Sequence, residues 1–77
     1  MPVRFDPRAD KHRVPRRSAW RVVMTTQGRP FTTNWGEKGL WYEGQDDRGI
    51  VLEVGTVWRG RDEMVIHAMP VSYRHDR

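Results

Sequence analysis

The sequence contains no cysteine among its 77 residues. This absence excludes a disulfide framework and any zinc site built from thiolate ligands, and it fits a reducing cytoplasm. A chain of this length buries only about 60% of the surface that its unfolded form exposes, so its core is small. Four Trp, two Tyr and two Phe supply the bulk for that core. The sequence therefore predicts a small cytoplasmic domain that folds without disulfide bonds.

Long hydrophobic runs are also missing. No apolar stretch approaches the roughly 20 residues that a membrane-spanning helix needs. The arginine-rich N-terminal stretch has no apolar segment behind it that could act as a signal peptide. The sequence has no internal repeat, no phosphate-binding loop motif and no His-Glu-x-x-His zinc motif. We therefore predict one domain over residues 1–77, with no membrane association, no metal and no cofactor.

Charge is distributed unevenly along the chain, whose formal net charge is +4. Residues 1–29 carry eight basic and two acidic side chains, whereas residues 30–77 carry six basic and eight acidic ones. A basic first third favours an anionic partner, either nucleic acid or an acidic protein. A solvated surface explains the same charge balance about equally well. The composition divides the domain into a basic helical part (1–29), a sheet (30–70) and a tail (71–77).

The strongest structural pattern is a pair of segments, 49–58 and 63–70, that are rich in β-branched and aromatic residues. Gly60 lies between them, where a tight reversal needs an unusual backbone angle. Pro70 ends the second segment because it has no N–H to donate. The pattern predicts the central hairpin of an antiparallel sheet. Regular alternation in the second arm puts Met64, Ile66 and Ala68 on one face and Val65, His67 and Met69 on the other.

Two helices are predicted before the sheet. Asp6 followed by Pro7 is typical of a capped helix start, and this first helix is expected to reach about His12. Val14-Pro15 then interrupts it, and a second helix is predicted from Pro15 to about Thr25. Gly28 is expected to end the second helix in the left-handed conformation. The expected apolar stripe of the second helix consists of Ala19, Trp20, Val23 and Met24.

Two further strands are predicted between the second helix and the central hairpin. They cover residues 31–35 and 40–43, with turns at 36–39 and 44–49. The expected fold is α+β, with two N-terminal helices packed on a four-stranded antiparallel meander sheet.

Several short motifs occur in an order that resembles a known family. They are Phe5-Asp6-Pro7, Lys11-His12-Arg13-Val14, Gly44-x-Asp46-x-x-Gly49 and Val65-Ile66-His67-Ala68-Met69-Pro70. The series, which covers about residues 5–75, is similar to the BrnT-like ribonuclease toxins of type II toxin–antitoxin modules, relatives of the RelE-like toxins. The chain departs from that pattern at Arg13, where the family commonly has glycine, and in a shorter C-terminal segment. The resemblance implies RNA as substrate and a cognate antitoxin or another acidic protein as partner.

RNA cleavage of this type needs a base for the ribose 2′-hydroxyl proton, an acid for the leaving oxygen and cations near the phosphate. Histidine suits both proton-transfer roles because its pKa is close to neutrality. The candidates are His12 and His67, with His75 as a weaker one. Lys11 and Arg74 are candidates to stabilise the phosphate, and Tyr73 to orient the base. The expected nucleic-acid-binding residues are Arg13, Arg16, Arg17 and Arg21.

Each candidate also has a purely structural explanation. His67 lies mid-strand between apolar residues, and His12 could cap a helix end. Glu53 is expected to pair with an arginine rather than to act as a base. Trp35, Trp41 and Trp58 could stack on unpaired bases, although core packing accounts for most of them. Two function classes therefore stay open: a metal-independent endoribonuclease, and a non-catalytic module that binds nucleic acid or an acidic protein through a basic helix face.

Overall fold

The computed structural model describes residues 3–75 and has an α+β fold. The main elements are β1 (Val3–Phe5), α1 (Arg16–Thr25), β2 (Arg29–Thr32), β3 (Lys38–Gln45), β4 (Val51–Arg59) and β5 (Asp62–Pro70). Two short 3-10 helices lie at Pro7–Asp10 and Val71–His75. The five strands form one mixed sheet in the order β1-β5-β4-β3-β2, and the neighbours from β2 to β5 are antiparallel. β1 pairs with β5 in parallel.

This architecture corrects the predicted one, because the described residues contain one α-helix and five strands rather than two helices and four strands. Asp6 caps the first segment as expected, but the segment is a single 3-10 turn. It cannot continue as an α-helix because Arg13 adopts a left-handed backbone (φ 58°) just before Val14-Pro15. The additional strand, β1, has only three residues, which are too few to show an alternating pattern, and its parallel partner lies far along the chain.

The core lies between α1 and one face of the sheet. From α1 it receives Ala19, Val22 and Val23, whereas Trp20 and Met24 are 47% and 56% exposed. The predicted apolar stripe of the helix is therefore half wrong. The buried stripe includes Ser18 and Val22 instead of Trp20 and Met24, because the helix buries only the one side that faces the sheet. The sheet and the N-terminal segment complete the core with Ala9, Val14, Tyr42, Leu52, Val54, Val65 and Ala68.

A β-bulge changes which residues of β5 face the core. Gly55 pairs with His67, but the next residue of β4, Thr56, pairs with Val65, so Ile66 has no partner. Val65 and Ala68 consequently lie on the same face, and both are buried. The regular alternation predicted for this strand is therefore wrong, because one extra residue in a strand reverses the faces beyond it.

One acidic side chain, Glu63, is buried on the core face. It accepts hydrogen bonds from the hydroxyls of Tyr42 and Thr56, the latter at 2.7 Å. Burial and the hydrogen bond to Glu63 raise the pKa of Tyr42 well above its ordinary value. A buried polar group is tolerated when it is hydrogen-bonded, and this small network satisfies that condition.

The glycine predictions have mixed outcomes. Gly60 has φ 64°, which confirms the predicted tight turn between β4 and β5. Gly28 does not adopt the left-handed conformation, so the prediction that it caps α1 is wrong. Its small size serves packing instead, because a Cβ at this position would lie 2.9 Å from the Tyr42 ring.

No helix among residues 3–75 is long and apolar enough to cross a bilayer. The segments that follow the two outer strands come close to each other, since the Arg8 guanidinium, after β1, lies 5.4 Å from the ring centroid of Trp35, after β2.

Asp46 organises the β3–β4 loop. Its carboxylate accepts hydrogen bonds from the backbone N–H groups of Arg48 and Ile50 and from the Arg48 guanidinium. The Asp46 side chain is fully buried. Burial alone would raise its pKa, but the hydrogen bonds from Arg48 and Ile50 outweigh burial and hold the pKa below its ordinary value. The predicted turn is shorter than 44–49, because residues 44 and 45 belong to β3, and it depends on one ionised aspartate.

We expect Asp46→Ala to lower the free energy of unfolding by about 1–3 kcal/mol, because it removes a buried charged acceptor. The folded-state pKa is depressed, so the contribution of Asp46 is present above the unfolded-state pKa of about 3.9 and is lost as the pH falls through the folded value. Urea unfolding at pH 7 and at pH 3 measures both effects. The difference between wild type and variant should be large at pH 7 and smaller at pH 3.

Asp10→Ala is the matched control. Asp10 also holds an arginine, Arg16, with two hydrogen bonds, but its side chain is 48% exposed. Its removal should have a much smaller effect on stability. Equal effects of the two substitutions would contradict the role assigned to Asp46.

Candidate functional site

The face of the sheet opposite α1, here called the site face, carries Trp41, Gly55 and His67 side by side on β3, β4 and β5. The indole of Trp41 and the imidazole of His67 are stacked, with centroids 5.4 Å apart and an interplanar angle of 19°. A Cβ at Gly55 would lie 3.0 Å from the Trp41 ring. The stack therefore depends on the missing side chain of the central strand.

A chain of charged hydrogen bonds runs beside this stack. One carboxylate oxygen of Glu53 lies 2.8 Å from His67 Nε2, and the other accepts from Arg74 Nε at 2.6 Å. Arg74 also donates to Glu43 at 2.8 Å. The carboxylates of Glu43 and Glu53 hold the pKa of Arg74 above its ordinary value. The expected pairing of Glu53 with an arginine is confirmed.

His12 reaches the same place from the N-terminal part of the chain. Its ring meets the His67 ring edge-to-face, with centroids 5.8 Å apart, and the Tyr73 ring at 6.1 Å. Both separations lie in the range of attractive aromatic contacts. The site thus assembles side chains from both ends of the described chain.

The environment of His12 favours its neutral form. Desolvation by burial lowers its pKa, and electrostatic repulsion from His67 and Lys11 lowers it further. The Glu53 carboxylate opposes this effect, but its influence on the His12 pKa is weaker. The imidazole of His12 is therefore a proton acceptor at neutral pH.

An open cleft of about 360 Å³ lies next to His67 on the site face. Asn34 and Trp35 of the β2–β3 loop line it together with Trp41. The Phe31 ring meets the Trp41 ring edge-to-face at 5.4 Å. The Trp35 indole N–H donates to Glu37, which fixes the ring although it is 58% exposed.

The structure brings together four of the five residues predicted as catalytic, His12, His67, Tyr73 and Arg74. Lys11 is exposed and directly precedes His12. Trp35 and Trp41, considered as stacking platforms, line the cleft, whereas Trp58 does not. The side chain of His75 lies outside the described part of the chain.

The predicted nucleic-acid-binding arginines do not form one patch with this cluster. Arg17 and Arg21 lie on α1, on the other side of the sheet. Arg16 is bound to Asp10 at 2.8 Å, and the Arg17 guanidinium lies 3.7 Å from Asp47. Arg13 is exposed beside His12 in the chain. The basic N-terminal third is therefore divided between two surfaces.

Sequence reasoning missed Glu43 and the role of Gly55. Glu43 and Gly55 occupy odd-numbered positions of β3 and β4, as Trp41 and Glu53 do. Because side chains alternate along a strand, this numbering predicts that all four lie on one face of the sheet. The placement of His67 could not be deduced in the same way, because the bulge at Ile66 is not visible in the sequence.

Within residues 3–75, no group of three or more His, Asp or Glu side chains is arranged to hold a metal ion. Comparison with known proteins finds no matching protein family, no matching curated protein and no matching solved structure.

Proposed function

We propose that the chain is a metal-independent endoribonuclease of the BrnT-like toxin type, acting on RNA in the cytoplasm. The observation that supports this most strongly is the meeting of His12 and His67, whose rings are 5.8 Å apart on the site face. Two imidazoles at this separation can act as the base and the acid in the cleavage of one phosphodiester bond. The left-handed backbone at Arg13 also supports the resemblance, because that family commonly has glycine there.

In the proposed reaction the ribose 2′-hydroxyl attacks the adjacent phosphorus and the bond to the 5′-oxygen breaks. His12 takes the hydroxyl proton, since its lowered pKa keeps the ring neutral. A protonated His67 gives its Nδ1 proton to the leaving oxygen. Glu53 accepts the hydrogen bond from His67 Nε2, which fixes the ring and balances its positive charge.

Lys11 and Arg13, both exposed next to His12, supply the cationic groups for the phosphate in this proposal. Arg74 differs from its expected role. Its guanidinium is already bound to Glu43 and Glu53, so we assign it as a positioning residue that fastens the C-terminal 3-10 helix to the sheet. Tyr73 on that helix then packs against His12 and restricts its ring.

We expect His12→Ala and His67→Gln each to slow RNA cleavage by about 100- to 10,000-fold, because each removes one proton-transfer group. RNA affinity should change little. Cleavage of a labelled RNA under single-turnover conditions gives the rate, and filter binding gives the affinity.

Arg61→Ala, which removes an exposed side chain from the β4–β5 turn, is the control and should keep the wild-type rate. Growth of a host that expresses wild type or the His12 variant provides a second readout. Absence of both RNA cleavage and growth arrest with the wild-type protein would refute the enzyme proposal.

A second candidate, a binding module, is favoured by the outer face of α1. Arg17, Trp20, Arg21 and Met24 follow one another at helical spacing, and Trp20 and Met24 are about half exposed. An exposed apolar pair that alternates with two arginines suits an acidic amphipathic partner, such as the cognate antitoxin that the resemblance implies, or RNA.

Arg17→Glu combined with Arg21→Glu separates the two surfaces. If RNA binds α1, the double substitution should weaken RNA binding. It should also reduce the slope of log binding constant against log salt concentration by about 0.7 for each phosphate contact that is lost. If RNA uses only the site face, cleavage should continue nearly unchanged. Lys38→Glu with Arg61→Glu makes the same charge change at two other exposed positions and serves as the control. A salt-independent interaction would count against the binding module.

A further inference from the structure

The cleft beside His67 has the dimensions and the walls of a ligand site. Its volume of about 360 Å³ falls within the range of about 300–1,000 Å³ that is usual for small-molecule pockets. Its lining includes the rings of Phe31, Trp35 and Trp41. Glu53 and His67, the proposed acid of the reaction, line it as well. A group bound in the cleft would therefore lie next to one of the proposed proton-transfer residues.

The two tryptophans differ in how much ring surface they leave for a ligand. Trp41 is stacked on His67 and contacts Phe31 edge-to-face, so its ring is largely covered. Trp35 is 58% exposed, and Arg8 lies 5.4 Å from its centroid. Its indole N–H is bound to Glu37. The Trp35 ring is thus a fixed but exposed aromatic surface at the cleft wall.

Polar groups on the same loop can read the edge of a stacked ring. The Thr33 hydroxyl is already used, because it accepts a hydrogen bond from the backbone N–H of Glu37. Asn34 lies next to it, exposed, and its amide has no hydrogen bond to another described residue. An asparagine amide offers a donor and an acceptor side by side, which match N7 and the amino group of adenine.

We propose that this cleft binds one unpaired nucleobase next to the scissile phosphate, with Trp35 as the stacking surface and Asn34 selecting adenine. The inference rests on the proposed RNA substrate and adds a base preference to it. Single-stranded RNA is commonly recognised in this way, by an unstacked base that packs on an aromatic side chain and is read along its edge.

The test uses short 2′-O-methyl oligonucleotides of A, U or C. They cannot be cleaved because the attacking hydroxyl is blocked, so binding is measured apart from catalysis. We expect the A oligonucleotide to bind most tightly to the wild-type protein. Trp35→Ala should weaken this binding by about 5- to 150-fold, the loss of one base–aromatic stack, whereas Trp35→Phe should retain most of it. Asn34→Ala should bind A, U and C about equally.

Trp58, near the end of β4, is also exposed and provides the matched control: Trp58→Ala should bind the A oligonucleotide like wild type. The inference is overturned if Trp35→Ala binds like wild type, if Trp58→Ala causes the same loss, or if no oligonucleotide binds. Tight, Trp35-dependent binding without any cleavage of ordinary RNA would support the nucleobase site and refute the proposed nuclease.

Discussion

Gly55 lies at the centre of β4, between Trp41 on β3 and His67 on β5, and its missing side chain lets the two rings stack over the middle of the sheet. A Cβ there would lie 3.0 Å from the indole, closer than such contacts normally come. The stack fixes His67 against Glu53 and gives His12 a partner ring. The rest of the site depends on this one permissive position.

Electrostatics give the cluster its second constraint. Glu53 is almost fully buried on the site face, and each of its oxygens has a cationic or ionisable partner, His67 or Arg74. Because a buried carboxylate needs such partners, the C-terminal 3-10 helix is held to the sheet through Arg74. Its neighbour Tyr73 is thereby placed against His12. One buried acid thus links the proton-transfer pair to the end of the described chain.

The parts that were predictable from the sequence are those governed by local patterns. β-Branched residues and the glycine turn at Gly60 predict β4 and β5, and the helix-breaking Val14-Pro15 predicts the start of α1. The number of helices and strands was not predictable in this way. A three-residue parallel strand carries no periodicity, and the left-handed Arg13 ends the first turn for reasons that no propensity shows. The predicted catalytic residues do cluster, but the bulge at Ile66 that orients β5 and the stack over Gly55 are tertiary features.

The most direct measurement of the central claim is a nuclear Overhauser experiment on the imidazole protons of His12 and His67. With ring centroids 5.8 Å apart, cross-peaks between the two imidazoles should be present, and the Trp41 ring should shift the His67 resonances upfield. The absence of these cross-peaks, together with unshifted His67 resonances, would mean that the two histidines do not share a site and would contradict the account.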